Sequence, residues 1–176
     1  MLKNASSKMR SLVLDLAPYS IHVYKQNFNF ACAHFMLFEN GTRETLHGHN
    51  YRVEIEGENS NLNNDMVFDF LDIKPVIREI CQELDHHLLI PKLHPQLKIE
   101  TKDSQVFLQI PDGSTMSFPQ GDVYLLPVLN TSVERLAIYF GTELKLRIKN
   151  KFNYCFKKLK VTIEETPGQC ASVWIE

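Results

Sequence analysis

The chain has 176 residues but only four cysteines, Cys32, Cys81, Cys155 and Cys170, and no two of them form a C-x-x-C pair. That absence argues against a thiolate zinc site and a thioredoxin-like redox motif, and leaves buried, reduced thiols as the plain reading. No apolar run approaches the roughly 18 residues that a membrane-spanning helix needs. An excess of basic residues is also missing. The formal net charge is −2, which argues against a nucleic-acid binder working through a broad cationic face. There is no internal repeat and no low-complexity tract. Near the N-terminus, Leu12-Val13-Leu14 is followed at once by Asp15, without a convincing cleavage site. A signal peptide is therefore not expected, and the chain reads as cytoplasmic.

What is present is ordinary for a globular protein: 44% hydrophobic and 23% charged residues. This length predicts one domain, residues 1–176, with 1–20 as an N-terminal extension and a core large enough to fold without staples. Residues 21–35 read as a strand in which Phe28, Phe30, Cys32 and His34 share a face. Residues 36–46 hold the turn signal Glu39-Asn40-Gly41-Thr42 and read as a loop. A second strand runs from His47 to about Glu58, with His47, His49, Tyr51, Val53 and Ile55 on one face and Arg52, Glu54 and Glu56 on the other. Pairing of these strands as a hairpin would bring His34 beside His47 and His49.

An Asn-rich loop at 59–65 precedes a helix at 72–84, capped by Asp72 and carrying Val76, Ile77, Ile80 and Leu84 at helical spacing. Between 91 and 127, alternating runs flank Pro111-Asp112-Gly113-Ser114 and predict an extra hairpin inserted into the main architecture. Thr131 or Ser132 caps a second helix with Leu136, Ala137, Phe140 and Leu144 as its apolar stripe. Residues 159–166 and 171–175 close the chain as strands around Pro167-Gly168. The order predicts an α+β fold: an antiparallel four-stranded sheet with two helices on one face.

His47-Gly48-His49 is the segment richest in chemistry. Two histidines at i and i+2 of a strand point the same way, and Gly48 lets the opposite face be approached closely. His34 is either a core histidine or a third ligand. Three protein ligands with an open position form the pattern of a catalytic zinc site, which makes Zn2+ the expected cofactor. Glu44, three residues before His47, is either a solvated loop charge or a base at that open position. Asp85-His86 either ends a helix or forms an acid–base pair, and His87 reads as structural. His22 and His94 read as exposed and uninvolved.

Several of these segments, in order, resemble the 6-pyruvoyl-tetrahydropterin synthase family, including its 6-carboxy-tetrahydropterin synthase branch. The resemblance covers roughly residues 24–90 and 128–176. It is carried by Ala33-His34-Phe35, His47-Gly48-His49-Asn50-Tyr51, Met66-Val67-Phe68-Asp69-Phe70, Leu84-Asp85-His86, Thr131-Ser132-Val133-Glu134 and Glu165-Thr166. It implies a tunnelling fold, a homohexamer of two stacked trimers, and active sites at subunit interfaces. It also implies zinc held by His34, His47 and His49, catalysis by Asp85 and His86, and a pterin triphosphate substrate. Glu165, preferred to Glu164 because Thr166 follows it, would anchor the pterin ring. Thr131 and Glu134 would lie beside the substrate, although Glu134 could equally complete a capping box with Thr131.

The chain departs from this pattern where most members carry a catalytic cysteine. Residues 41–46 contain none, and Cys32 lies ahead of His34 in the strand. E-x-x-H-G-H resembles a subgroup in which glutamate replaces that cysteine. This implies cleavage of 7,8-dihydroneopterin triphosphate to 6-hydroxymethyl-7,8-dihydropterin on a folate route. Formation of the 6-pyruvoyl or 6-carboxy product is the alternative on the same substrate. A zinc- or pterin-binding protein without turnover is the alternative of another class.

Overall fold

The structure, a computed structural model, describes residues 19–176, so most of the expected 1–20 extension lies outside the described residues. β1 (Tyr19–His34) and β2 (His47–Asn59) form an antiparallel hairpin whose loop end places His34 directly opposite His47. The register shifts between Tyr24 and Asn29. The extra residues there switch the inward parity of β1, from Val23 before the shift to Phe28, Phe30, Cys32 and His34 after it. β8 (Lys158–Thr166) pairs antiparallel with β2, and β9 (Gln169–Ile175) pairs antiparallel with β8.

The sheet has six strands rather than the expected four, in the order β7-β3-β1-β2-β8-β9. The two additional strands, β3 (His87–Pro91) and β7 (Val123–Leu126), are parallel to β1. Leu88, Leu89 and Ile90 are all buried. A strand covered on both faces has no polar–apolar alternation to betray it, and a parallel strand is of that kind. The insertion contains the expected hairpin, with one further strand added to it. β4 (Lys98–Lys102), β5 (Gln105–Gln109) and β6 (Thr115–Pro119) form a separate three-stranded meander strung between β3 and β7.

α1 (Phe70–Leu84) starts two residues earlier than expected, because Asp69 rather than Asp72 caps it, accepting the Leu71 N–H at 2.7 Å. Asp72 falls in the first turn, where a carboxylate still favours the helix dipole. α2 (Val133–Phe152) is capped by Ser132, which accepts from Arg135 N, and it ends where Asn153 turns left-handed. With Ser132 as the cap, no capping box joins Thr131 and Glu134. Ile73, Ile77 and Ile80 of α1 and Leu136, Phe140 and Leu144 of α2 join Phe30, Tyr51, Ile55 and Ile163 of the sheet in one buried core. Gly141 lets α2 lie close to the sheet, since a Cβ there would come within 2.4 Å of Ile175. Arg147 of α2 reaches Glu83 of α1 through two hydrogen bonds of 2.6 and 2.7 Å and ties the helices together.

Candidate metal and acid–base site

The alternation that buries Phe30 and Tyr51 also carries His34, His47 and His49 to the loop end of the same face. One nitrogen from each of the three lies within 4.8 Å of those of the others. His34 is 2% exposed. Burial and the neighbouring His47 push its pKa down, which keeps it neutral as a metal ligand must be. Its Nδ1–H donates to the Thr131 carbonyl at 3.0 Å, and that of His47 donates to the Thr45 carbonyl at 2.8 Å. Both rings are thereby fixed with Nε2 as the lone-pair nitrogen, the way ligating histidines are usually oriented. On donor type, spacing and support, the three residues fit a divalent metal such as zinc. A Cβ on Gly48 would come within 3.0 Å of the Cys32 carbonyl, so the hairpin needs glycine at that close approach.

Glu165 follows the inward parity of Leu159, Val161 and Ile163 and meets the histidines. Its Oε1 lies 3.6 Å from His49 Nε2 and 3.8 Å from His34 Nε2. Glu164 points the other way, 4.0 Å from Arg52. Tyr51, absent from the sequence-derived site, bridges the group. Its hydroxyl donates to Glu165 at 3.0 Å, and its oxygen lies 3.3 Å from His34 Nε2. Burial, with the Cys32, Glu165 and Glu44 groups adding, drives the Tyr51 hydroxyl far above its ordinary pKa. Parity had already placed Tyr51 on the histidine face, which was the signal that could have found it.

Glu44 is half-buried in the loop between β1 and β2, its Oε2 accepting the Met36 N–H at 3.1 Å. Asp85 and His86 lie beyond α1 on the edge of β1 away from β2. Asp85 Oδ1 accepts the Ala31 N–H at 2.7 Å, and His86 Nδ1 lies 2.8 Å from Asp85 Oδ2. Burial acts to raise the Asp85 pKa, but the Ala31 and His86 contacts outweigh it and hold the carboxyl below its usual value. The His86 side chain is 84% exposed, on backbone of φ 60°. A cavity of about 540 Å³ borders both His49 and His86, along with Ala33, Gly48 and Phe118.

Two further residues were expected beside the substrate. Thr131 is fully buried, its hydroxyl donating to Phe35 O at 2.8 Å while its carbonyl holds His34. Glu134 is exposed in the first turn of α2. Cys32 sits beside the histidines, but burial, with Asp85 and Glu165 adding, pushes its thiol up to about 12. It is no nucleophile at neutral pH.

A cluster of three histidines able to hold a metal ion, at the mouth of a β-hairpin in an α+β sheet backed by two helices, defines the class. The family model described as 6-pyruvoyl tetrahydropterin synthase matches residues 22–176. A Methanocaldococcus jannaschii protein provisionally named 6-carboxy-5,6,7,8-tetrahydropterin synthase is 38% identical over 144 residues, covering 81% of this chain and 86% of its own. The 6-pyruvoyl tetrahydropterin synthase of Plasmodium vivax superposes with a TM-score of 0.84 at 32% identity, over 91% of this chain and 99% of that one. Variants of the same protein, in which a catalytic glutamate is replaced by alanine or cysteine, superpose equally well. The chain belongs to the 6-pyruvoyl tetrahydropterin synthase family of pterin biosynthesis and has its tunnelling fold. Among the described residues, no helix is long and apolar enough to cross a membrane.

Proposed function

We propose that the protein is a zinc-dependent lyase that converts 7,8-dihydroneopterin triphosphate to 6-hydroxymethyl-7,8-dihydropterin, a step toward folate. The observation that carries this reading is Glu44 on the loop leading to the histidine cluster, close enough for its charge to bear on Tyr51, with no cysteine in residues 41–46. The catalytic glutamate of the P. vivax relative supports the same role here.

When bound by His34, His47 and His49, zinc supplies Lewis acidity toward the hydroxylated side chain of the substrate. Glu165 accepts hydrogen bonds from the pterin ring N–H and amino groups, and Tyr51 orients that carboxylate. Glu44 accepts the proton of the second side-chain hydroxyl. The bond between the first and second side-chain carbons then breaks, its electron pair drawn toward the ring, and a two-carbon aldehyde leaves with the triphosphate. Asp85 holds the His86 tautomer, and His86 returns a proton toward the first carbon. Glu134 remains a proposed substrate neighbour, and Thr131 acts through the backbone carbonyl that holds His34. The assembly is a homohexamer of two stacked trimers working in the cytoplasm.

The names of the archaeal relatives favour the second reading, a 6-carboxy product from the same substrate. The deciding experiment incubates zinc-loaded protein with 7,8-dihydroneopterin triphosphate and identifies the oxidised pterins by chromatography and mass. Hydroxymethylpterin as the main product is expected. A pyruvoyl or carboxy pterin would transfer the assignment to the second reading, and unchanged substrate would leave a binding protein without turnover.

A further inference from the structure

The inserted meander β4–β6 takes no part in the chemistry above, yet its β5–β6 turn is docked against the loop that carries Glu44. We propose that this insertion positions Glu44, with Arg43 as the positioning residue through which it acts. The proposal rests on Glu44 being the proton acceptor.

Two sets of contacts carry it. The first is apolar. Phe35 and Leu37, at the foot of the loop, are buried in one cluster with Leu97, Val106, Leu108 and Ile110 of the insertion, and Leu46, at the loop's other end, packs against the same cluster. The loop therefore rests at both ends on a core that the insertion completes.

The second set is polar and lies at the tip. Asp112 Oδ1 accepts both the N–H and the hydroxyl of Ser114, at 2.8 and 2.6 Å, which closes the β5–β6 turn. Its other oxygen, Oδ2, lies 3.7 Å from Arg43 Nε, and the same Nε donates to Ser114 Oγ at 3.5 Å. From the far end of that guanidinium, Nη1 donates to the Glu44 carbonyl at 2.8 Å. Glu44 is gripped from its other side by Met36, whose carbonyl accepts the Glu44 N–H at 2.9 Å and whose N–H donates to Glu44 Oε2 at 3.1 Å. Pro111 also lies near the loop, since a Cβ placed on Gly41 would be in ordinary van der Waals contact with the Pro111 Cβ, at 3.4 Å.

The side chains of Arg43 and Asp112 are 24% and 34% exposed, so water screens this pair less than it would a fully solvated one. A connection of this length, left to itself, would be mobile, and displacing a catalytic group by about 1 Å can cost on the order of a hundredfold in rate. The contact from Asp112 through Arg43 to the Glu44 backbone removes that freedom without touching the substrate.

The test uses the zinc-loaded protein with Arg43→Ala and Asp112→Asn, each alone and combined with Glu44→Ala. Asp112→Asn keeps the oxygen that closes the turn and removes only the charge facing Arg43, so it reports even if Arg43→Ala folds poorly. The expected result is a fall in kcat of about tenfold or more for either single variant, with KM and bound metal nearly unchanged. Amide exchange measured by mass spectrometry should quicken in the segment holding Met36 and Glu44 and stay slow in β1 and β2. With Glu44→Ala already present, neither substitution should lower the rate further. Unchanged kcat and exchange would overturn the proposal, and so would a rate loss that persists undiminished without Glu44. A fully active Glu44→Ala protein would instead overturn the proton-acceptor role of Glu44. The exchange result would then still decide whether the insertion holds the loop.

Discussion

Single side chains separate the reactive groups from the inert ones. Cys32 is a cysteine near the histidines, yet a thiol held at about 12 carries a thiolate fraction on the order of one in ten thousand at pH 8. Cys32→Ala should therefore retain turnover within about threefold, and iodoacetamide at pH 8 should leave Cys32 unmodified until denaturant is added; peptide mass mapping checks the labelling. At this scale the sequence was informative wherever parity spoke. Period two brought His34, His47, His49 and Tyr51 to one face, whereas Glu165 was preferred to Glu164 only because Thr166 follows it. It could not reveal that the Thr131 hydroxyl is engaged by Phe35, because that partner lies 96 residues away and no local pattern encodes the contact.

Elements were legible in proportion to how amphipathic they are. Both helices and the four antiparallel strands show one wet face, and the sequence located them to within a few residues. β3 is buried too evenly to alternate and β7 is an unbroken apolar run, so both were missed. The first strand of the meander they flank was missed with them, whereas its other two strands were expected as a hairpin. α1 ends on Asp85, whose carboxylate fastens the helix end to β1 through the Ala31 N–H. Its pKa is depressed in the folded state, so its contribution to stability is present above the unfolded value near 3.9 and is lost as the pH falls through the lower folded value. Asp85→Asn should accordingly lower the urea midpoint by a constant amount between pH 7 and pH 5. That deficit should begin to shrink only below about pH 4. A deficit that grew toward low pH would contradict this sign.

For the molecule as a whole, the sheet formed by the described residues closes on neither side within one chain. β7 pairs only with β3 and β9 only with β8 among the described residues. Open edges invite pairing between copies, and ring closure of identical protomers removes them. Sedimentation equilibrium of the zinc-loaded protein should give six times the 20.4 kDa chain mass, and a monomer would contradict the proposed assembly. The central claim, however, concerns chemistry at one position, the proposed proton acceptor Glu44. The most direct measurement compares wild type and Glu44→Ala at equal bound zinc, following hydroxymethylpterin formed from 7,8-dihydroneopterin triphosphate. Loss of a general base predicts a fall of about a hundredfold to ten-thousandfold with metal content unchanged. Hydroxymethylpterin formed by the alanine variant at a rate within a few-fold of wild type would contradict the assignment.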